Sequence, residues 1–275
     1  MRFTTSDGLS LSYTDQGTGL PLLCLPGLTR DSRDFDELAA AIAGRHRVIA
    51  LTARGRGASD RDPTFANYNV AIEARDAVEL LDHLGLPQAT IIGTSRGGLL
   101  AMLIAATLPQ RLSGVLLNDI GPVIAPEGLA RIMTYLGIAP RARTYAEAVQ
   151  ALKVTMGREF PGLSDEKWLT CAQRWFDHGP EGLELNYDPK LRDAVEAGVQ
   201  PAADMWPLFD ALAGKPVAVV RGANSDLLSR ETVAAMQARR PDLIVAEVPD
   251  RGHVPFLDEP EALTALAALM TRVAL

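Results

Sequence analysis

The chain is poor in the residues that build covalent or metal-held frameworks. Its 275 residues include two cysteines, Cys24 and Cys171, and four histidines. Two distant thiols give no disulfide framework, no redox pair and no metal-like spacing. Cys24 falls in an apolar run and reads as an inert buried thiol. No surplus of positive charge is present. Against 27 Lys and Arg stand 34 Asp and Glu, for a net charge of −7. A nucleic-acid surface is therefore not expected, because phosphate recognition needs a basic face. No apolar stretch reaches the ~18 residues of a membrane span, and no basic-apolar-small leader opens the chain. The expectation is a cytoplasmic protein with no membrane partner. Repeats and low-complexity tracts are absent too. What remains is ordinary for a globular protein, with 47% hydrophobic and 22% charged residues. The length fits one domain with an insertion.

Strand and helix signals alternate from residue 2 to about 121, as in a parallel sheet. Strands are predicted over 9–15, 21–25, 47–51, 89–92 and 114–118, and helices over 32–43, 66–84 and 96–108. Gly17-Thr18-Gly19 reads as the turn of an opening hairpin. From 122 to 206 the β signal disappears, and helical pieces with Pro and Gly breaks follow: 127–136, 144–156, 164–176 and 191–198. Alternation resumes at Pro216, and a last helix covers 260–274. The expected division is a core of 1–121 and 207–275 with a helical cap inserted at 122–206.

Ser95 carries the chemistry. It sits in Gly93-Thr94-Ser95-Arg96-Gly97, after the apolar Ala89-Thr90-Ile91-Ile92 and before Gly98-Leu99-Leu100-Ala101. Strand, tight turn and helix around G-x-S-x-G expose a serine hydroxyl at a strained tip. A hydroxyl is a weak nucleophile without an adjacent base, and a carboxylate must orient that base. Of the four histidines, His46 lies in a basic loop, His83 near a helix end and His178 in a polar turn. His253 follows the short strand Val245–Pro249 in Arg251-Gly252-His253-Val254-Pro255, a rigid loop able to aim an imidazole. For the acid, Asp226 stands just past the strand Val217–Arg221, where open α/β sheets collect functional groups. Its plain alternative is a helix N-cap. Asp119, after the strand ending at Asn118, is the second candidate, with a turn role as its own alternative.

With Leu25-Pro26-Gly27-Leu28, Arg54-Gly55-Arg56-Gly57, the Ser95 turn, Asp226 and His253 in this order, the chain resembles an α/β-hydrolase fold enzyme along nearly its whole length. The resemblance implies a mostly parallel central sheet flanked by helices, with an inserted helical cap. It lies nearest to small capped hydrolases such as carboxylesterases, enol-lactonases and C–C bond hydrolases. It implies a catalytic triad of Ser95, Asp226 and His253, and an oxyanion hole made by the backbone N–H groups of Leu28 and Arg96. The substrate would be a small, largely apolar ester or lactone cleaved through an acyl-enzyme, with no metal or organic cofactor, by a monomer or homodimer. Two alternatives stay open. One is a C–C hydrolase of ring-cleavage diketones or a proline iminopeptidase-like enzyme; the other is a small-molecule receptor with vestigial turnover. The chain departs from the family pattern at Pro26, where a histidine is usual, at Thr52, where an Asp is usual, and at Arg96, which is often apolar. The Arg96 guanidinium reaches a carboxylate such as Asp119 or enters the pocket. Trp206, Trp175 and Tyr135 are the expected substrate contacts, because pockets bind mainly through apolar and aromatic walls.

Overall fold

The computed structural model describes residues 1–198 and 204–275. Their centre is an eight-stranded sheet. The chain enters through β1 (Arg2–Thr4), β2 (Ser10–Gln16) and β3 (Leu20–Leu25). A 3-10 turn (Ser32–Phe35), α1 (Asp36–Ile42), β4 (His46–Leu51) and α2 (Val70–His83) follow. Next come β5 (Ala89–Thr94), α3 (Arg96–Thr107) and β6 (Leu112–Asn118). With β9 (Val217–Gly222) and β10 (Ile244–Val248) the sheet order is β1-β2-β4-β3-β5-β6-β9-β10. The strands from β4 to β10 in that order run parallel, while β2 pairs antiparallel with β1 and β4 at one edge.

Composition explains why the middle strands are central. β5 and β9 (Val217–Gly222) are buried along their entire length, as expected of parallel strands covered on both faces. One face packs Leu23, Ile91, Val115 and Val219 against α2 and α3. The other packs Leu22, Ile92, Leu116 and Val220 against α1 and α10 (Pro260–Val273). Period-2 alternation of Cβ direction sends successive residues of one strand into opposite cores.

Two expectations are corrected here. Gly17-Thr18-Gly19 does not close a hairpin, because β2 pairs with β4 and not with β3. The turn instead crosses the α1–β4 connection, where a Cβ on Gly19 would lie 2.7 Å from the Arg45 carbonyl oxygen. The stretch expected to be purely helical contains α4 (Pro126–Met133), α5 (Tyr145–Met156) and α6 (Asp165–Trp175), but also a small hairpin. Its strands are β7 (Phe176–Gly179) and β8 (Gly182–Leu185), so His178 lies on a strand. α7 (Leu191–Gly198) precedes residues 199–203, which fall within the expected cap span but outside the described residues. α8 (Trp206–Asp210) returns the chain to β9, then α9 (Arg230–Arg239) and β10 (Ile244–Val248).

Polar ties join residues 167–188 to α1 and to the loops that follow β4 and precede α10. Gly57 N–H donates to the Asn186 carbonyl and Asp188 N–H to the Gly55 carbonyl, each at 2.7 Å. Arg174 donates to Glu37 at 2.7 Å, and Lys167 to Asp258 at 2.6 Å. Among the described residues, no helix is long and apolar enough to cross a membrane.

Candidate active site

Ser95 occupies the sharp turn between β5 and α3 with φ 50° and ψ −112°. Strain of this kind costs about 1–3 kcal/mol and survives only where neighbours enforce it. Here the enforcement is visible. Ser95 N–H continues the sheet ladder by donating to the Asn118 carbonyl at 2.9 Å. A Cβ on Gly93 would come within 2.5 Å of the Gly97 carbonyl oxygen, and one on Gly97 would collide with the Leu25 carbonyl oxygen. Only glycines let strand and helix close this tightly.

His253 comes from the loop between β10 and α10. Its Nε2 lies 2.9 Å from Ser95 Oγ, and its Nδ1 lies 2.7 Å from Asp119 Oδ2. A carboxylate can only accept, so Nδ1 carries the proton and Nε2 is left to receive the serine's. Asp119, fully buried, follows β6 with φ 54°. Its N–H donates to the Val220 carbonyl at 2.7 Å, which anchors it to the sheet. Asn118 braces the assembly, donating to Thr94 Oγ1 at 3.1 Å and to the Pro255 carbonyl at 3.0 Å. The serine strand and the histidine loop are thereby tied together.

The carboxylate facing the imidazole is therefore Asp119, and the expectation for Asp226 is not met. The reason is local. Ser225 turns inward and donates to Asp119 Oδ2 at 2.6 Å, while Gly222 N–H donates to Oδ1 at 2.8 Å. The Ser225 hydroxyl also accepts from Leu227 and Leu228 N–H, closing a tight turn. That turn directs Asp226 away, to Arg131 at 3.2 Å. Nor does Asp226 cap α9, whose N-cap is Ser229. The loop after β9 thus supplies hydrogen bonds to the acid rather than the acid itself.

Leu28 lines the same cavity as Ser95, and Arg96 follows Ser95 as the first residue of α3. Among the described residues, neither backbone N–H donates to a protein acceptor. The Arg96 N–H is one of the free donors at the α3 N-terminus. Its guanidinium reaches neither Asp119 nor the cavity but Glu73, at 2.6 Å. Glu73 is buried on α2 and also receives Arg56 at 2.9 Å. Arg56 in turn donates to the Leu28 carbonyl at 2.8 Å. One carboxylate thus links both segments beside Ser95. Burial pushes the Glu73 carboxyl up, but the two guanidinium groups outweigh it and hold it below the usual range.

Two cavities meet at the imidazole. The smaller, about 80 Å³, is lined by Gly27, Leu28, Ser95, Asp34, Cys171 and His253, among others. The larger, about 600 Å³, runs between α4 and α5 past Ile132, Leu152 and Tyr187, and also reaches His253. Trp175 and Tyr135 line both, as does Arg30, whose guanidinium stacks 3.7 Å above the Trp175 ring. Trp206 lines neither. It packs edge-on against Phe209 under the Arg239 guanidinium, because α8 lies against α3 on the core side. Burial pushes the Cys171 thiol up to about 11, which keeps it neutral and unreactive.

Asp34 is shifted as well, up to about 6, mainly by burial. Its nearest partner, Arg30, is 3.9 Å away. A carboxyl whose pKa is higher folded than unfolded favours the fold at low pH, and that favour is lost as pH rises through about 6. Asp34→Asn should therefore melt higher than the natural protein at pH 7.5, by on the order of 5 °C. At pH 4 the advantage should vanish. Paired calorimetric scans check this.

The pattern of the alpha/beta hydrolase family matches residues 22–266. The chain belongs to the alpha/beta hydrolase family. It is 38% identical over 262 residues to a 3-hydroxybutyrate-oligomer hydrolase of Cupriavidus necator, covering 91% of this chain and 88% of that protein. The crystal structure of an alpha/beta hydrolase from Novosphingobium aromaticivorans is similar at TM-score 0.93 and 42% identity, covering 99% of this chain and 97% of that one. A 2-(acetamidomethylene)succinate hydrolase of Mesorhizobium japonicum is 26% identical over 245 residues, covering 89% of this chain and 85% of the other. As a member of this hydrolase family, the chain has relatives named for two different substrates.

Proposed function

We propose that this hydrolase cleaves carboxylic esters of short hydroxy acids, with Ser95 as the nucleophile. The observation that carries the reading is the unbroken relay Ser95–His253–Asp119 at the junction of two cavities. The relative named for 3-hydroxybutyrate oligomers supports the choice of ester. His253 Nε2 takes the Ser95 proton as Oγ attacks the ester carbonyl. Asp119 keeps the imidazole in the required tautomer and offsets its charge. The Leu28 and Arg96 amides receive the oxyanion. The alkoxide leaves with the proton from His253, and water repeats the path to free the acid. The helices over 122–206 act as a cap that shapes both cavities. An active-site phosphonate tests the assignment. Peptide mass analysis is expected to find the adduct on Ser95, with ester hydrolysis lost in step. Labelling elsewhere with activity lost would refute it.

Glu73 is a positioning residue in this scheme. Glu73→Gln removes the charge that both arginines share, and breaking a buried pair costs about 3–5 kcal/mol of stability. Below its melting point the variant should show kcat lowered by about tenfold or more, with KM little changed, since the donors act on the transition state. A purely structural role would leave kcat per folded molecule unchanged.

A further inference from the structure

The division of the lining residues between the two cavities carries a direction of cleavage. Ser95, Gly27 and Leu28 face the small cavity and not the large one, while His253 faces both. An acyl group is bonded to the serine oxygen, with its carbonyl oxygen at the Leu28 and Arg96 amides. Its chain therefore begins in the small cavity. The leaving oxygen must receive its proton from His253, so the alcohol arm starts at the imidazole, where the large cavity opens.

Sizes sharpen this. Seating one water takes about 10–15 Å³ of such space, so the small cavity holds a group of roughly five to eight heavy atoms. That suits one short hydroxyacyl unit and no more. The large cavity, at about 600 Å³, accepts several units. Its walls Ile132, Leu152, Ala148 and Ile138 are apolar and suit an aliphatic chain.

Polar groups agree with the same orientation. Asp34 is the carboxyl lining the small cavity, and it is absent from the lining of the large one. Its carboxyl can both accept from and donate to a hydroxyl near pH 6. At the junction, Arg30 stacks on Trp175 and lies 3.9 Å from Asp34, too far for a hydrogen bond to that carboxylate. Its guanidinium suits the next carbonyl or the free carboxylate of the leaving arm.

We propose that the enzyme works from the hydroxyl end of a hydroxy-acid oligoester, seating one terminal acyl unit in the small cavity and the remaining chain in the large one, so that each turnover releases a single unit. This rests on the ester-hydrolase reading above. In each cycle the bond between the terminal acyl carbon and its alkoxy oxygen breaks. The Ser95 ester forms, and the serine proton passes through His253 to the departing shortened chain. Water then cleaves the one-unit acyl-enzyme and restores the Ser95 proton.

The test uses a linear 3-hydroxybutyrate trimer carrying an isotopic label in its hydroxyl-terminal unit. After acid quench at the first turnover, intact mass is expected to show one labelled unit on Ser95, with unlabelled dimer free in solution. A two-unit adduct, or release of labelled dimer, would overturn the proposed direction while leaving the ester-hydrolase reading standing. Failure to cleave the trimer or any short p-nitrophenyl ester would instead sink that reading, and the direction with it. Blocking the hydroxyl with a benzoyl group should lower kcat/KM by about tenfold or more, because a tight pocket rejects added bulk. A benzyl ester at the carboxyl end should be accepted within about threefold, since the large cavity has room. The reverse sensitivity would also overturn the direction.

Discussion

Asp119→Asn should lower kcat by about 10⁴-fold with folding intact, the scale seen when an orienting carboxylate is lost from such a relay. Every neighbour of this carboxylate donates to it: His253 Nδ1, the Ser225 hydroxyl and the Gly222 N–H. An amide cannot satisfy all three. If its oxygen faces Gly222, its NH2 faces the imidazole and forces Nδ1 to accept. The proton then sits on Nε2, which can no longer take one from Ser95. If the amide turns over, its NH2 meets the Gly222 N–H and a buried donor is left unpaired. Asp226→Asn is the matched control. Asp226 and its partner Arg131 are each about a third exposed, with side-chain values of 31% and 32%, and such pairs contribute little. Its kcat should stay within about threefold of the natural protein. Steady-state kinetics of both variants on one ester settle the matter, and equal losses would show that the imidazole answers to both carboxylates.

The second large effect is at Ser95, the proposed nucleophile. Ser95→Ala should lose about 10⁶-fold in kcat, as expected when the attacking atom itself is removed. Stability should respond differently to two replacements. Alanine retains the Cβ and with it the strain of φ 50°. Glycine relieves that strain at some cost in chain entropy. Ser95→Gly should accordingly melt above Ser95→Ala, while both are equally inactive. A Ser95→Gly variant melting lower would mean that the turn stores no strain.

Local chemistry was legible in the sequence; the meeting of distant segments was less so. The Ser95 turn could be read because its requirements lie within ten residues, in glycines and flanking apolar runs. His253 was readable from its loop between a strand and Pro255. The acid was not, because Asp119 and Asp226 both follow strand ends, and nothing local says which one looks at the imidazole. The difference lies in Ser225, whose hydroxyl turns toward Asp119 and swings its neighbour outward. The β7–β8 hairpin had a signal, Pro180-Glu181 flanked by Gly179 and Gly182 at the junction of two four-residue runs, which the surrounding helical pattern masked. Trp206 was misplaced because an aromatic near a chain crossing suits a core as well as a cavity wall. Glu73 had no signal of its own. On α2 it is one acidic residue among several, and its partners Arg56 and Arg96 are brought to it only by the fold.

The position of Asp119 has an evolutionary consequence. In the proposed relay, Ser95 and Asp119 leave adjacent strands, β5 and β6, and the proposed cap begins at residue 122, soon after Asp119. Among the described residues, none between residue 120 and the start of β9 hydrogen-bonds to Ser95, His253 or Asp119. Selection can therefore exchange, shorten or rebuild that stretch as a cassette, retuning which molecule is accepted while the chemistry beneath is inherited unchanged.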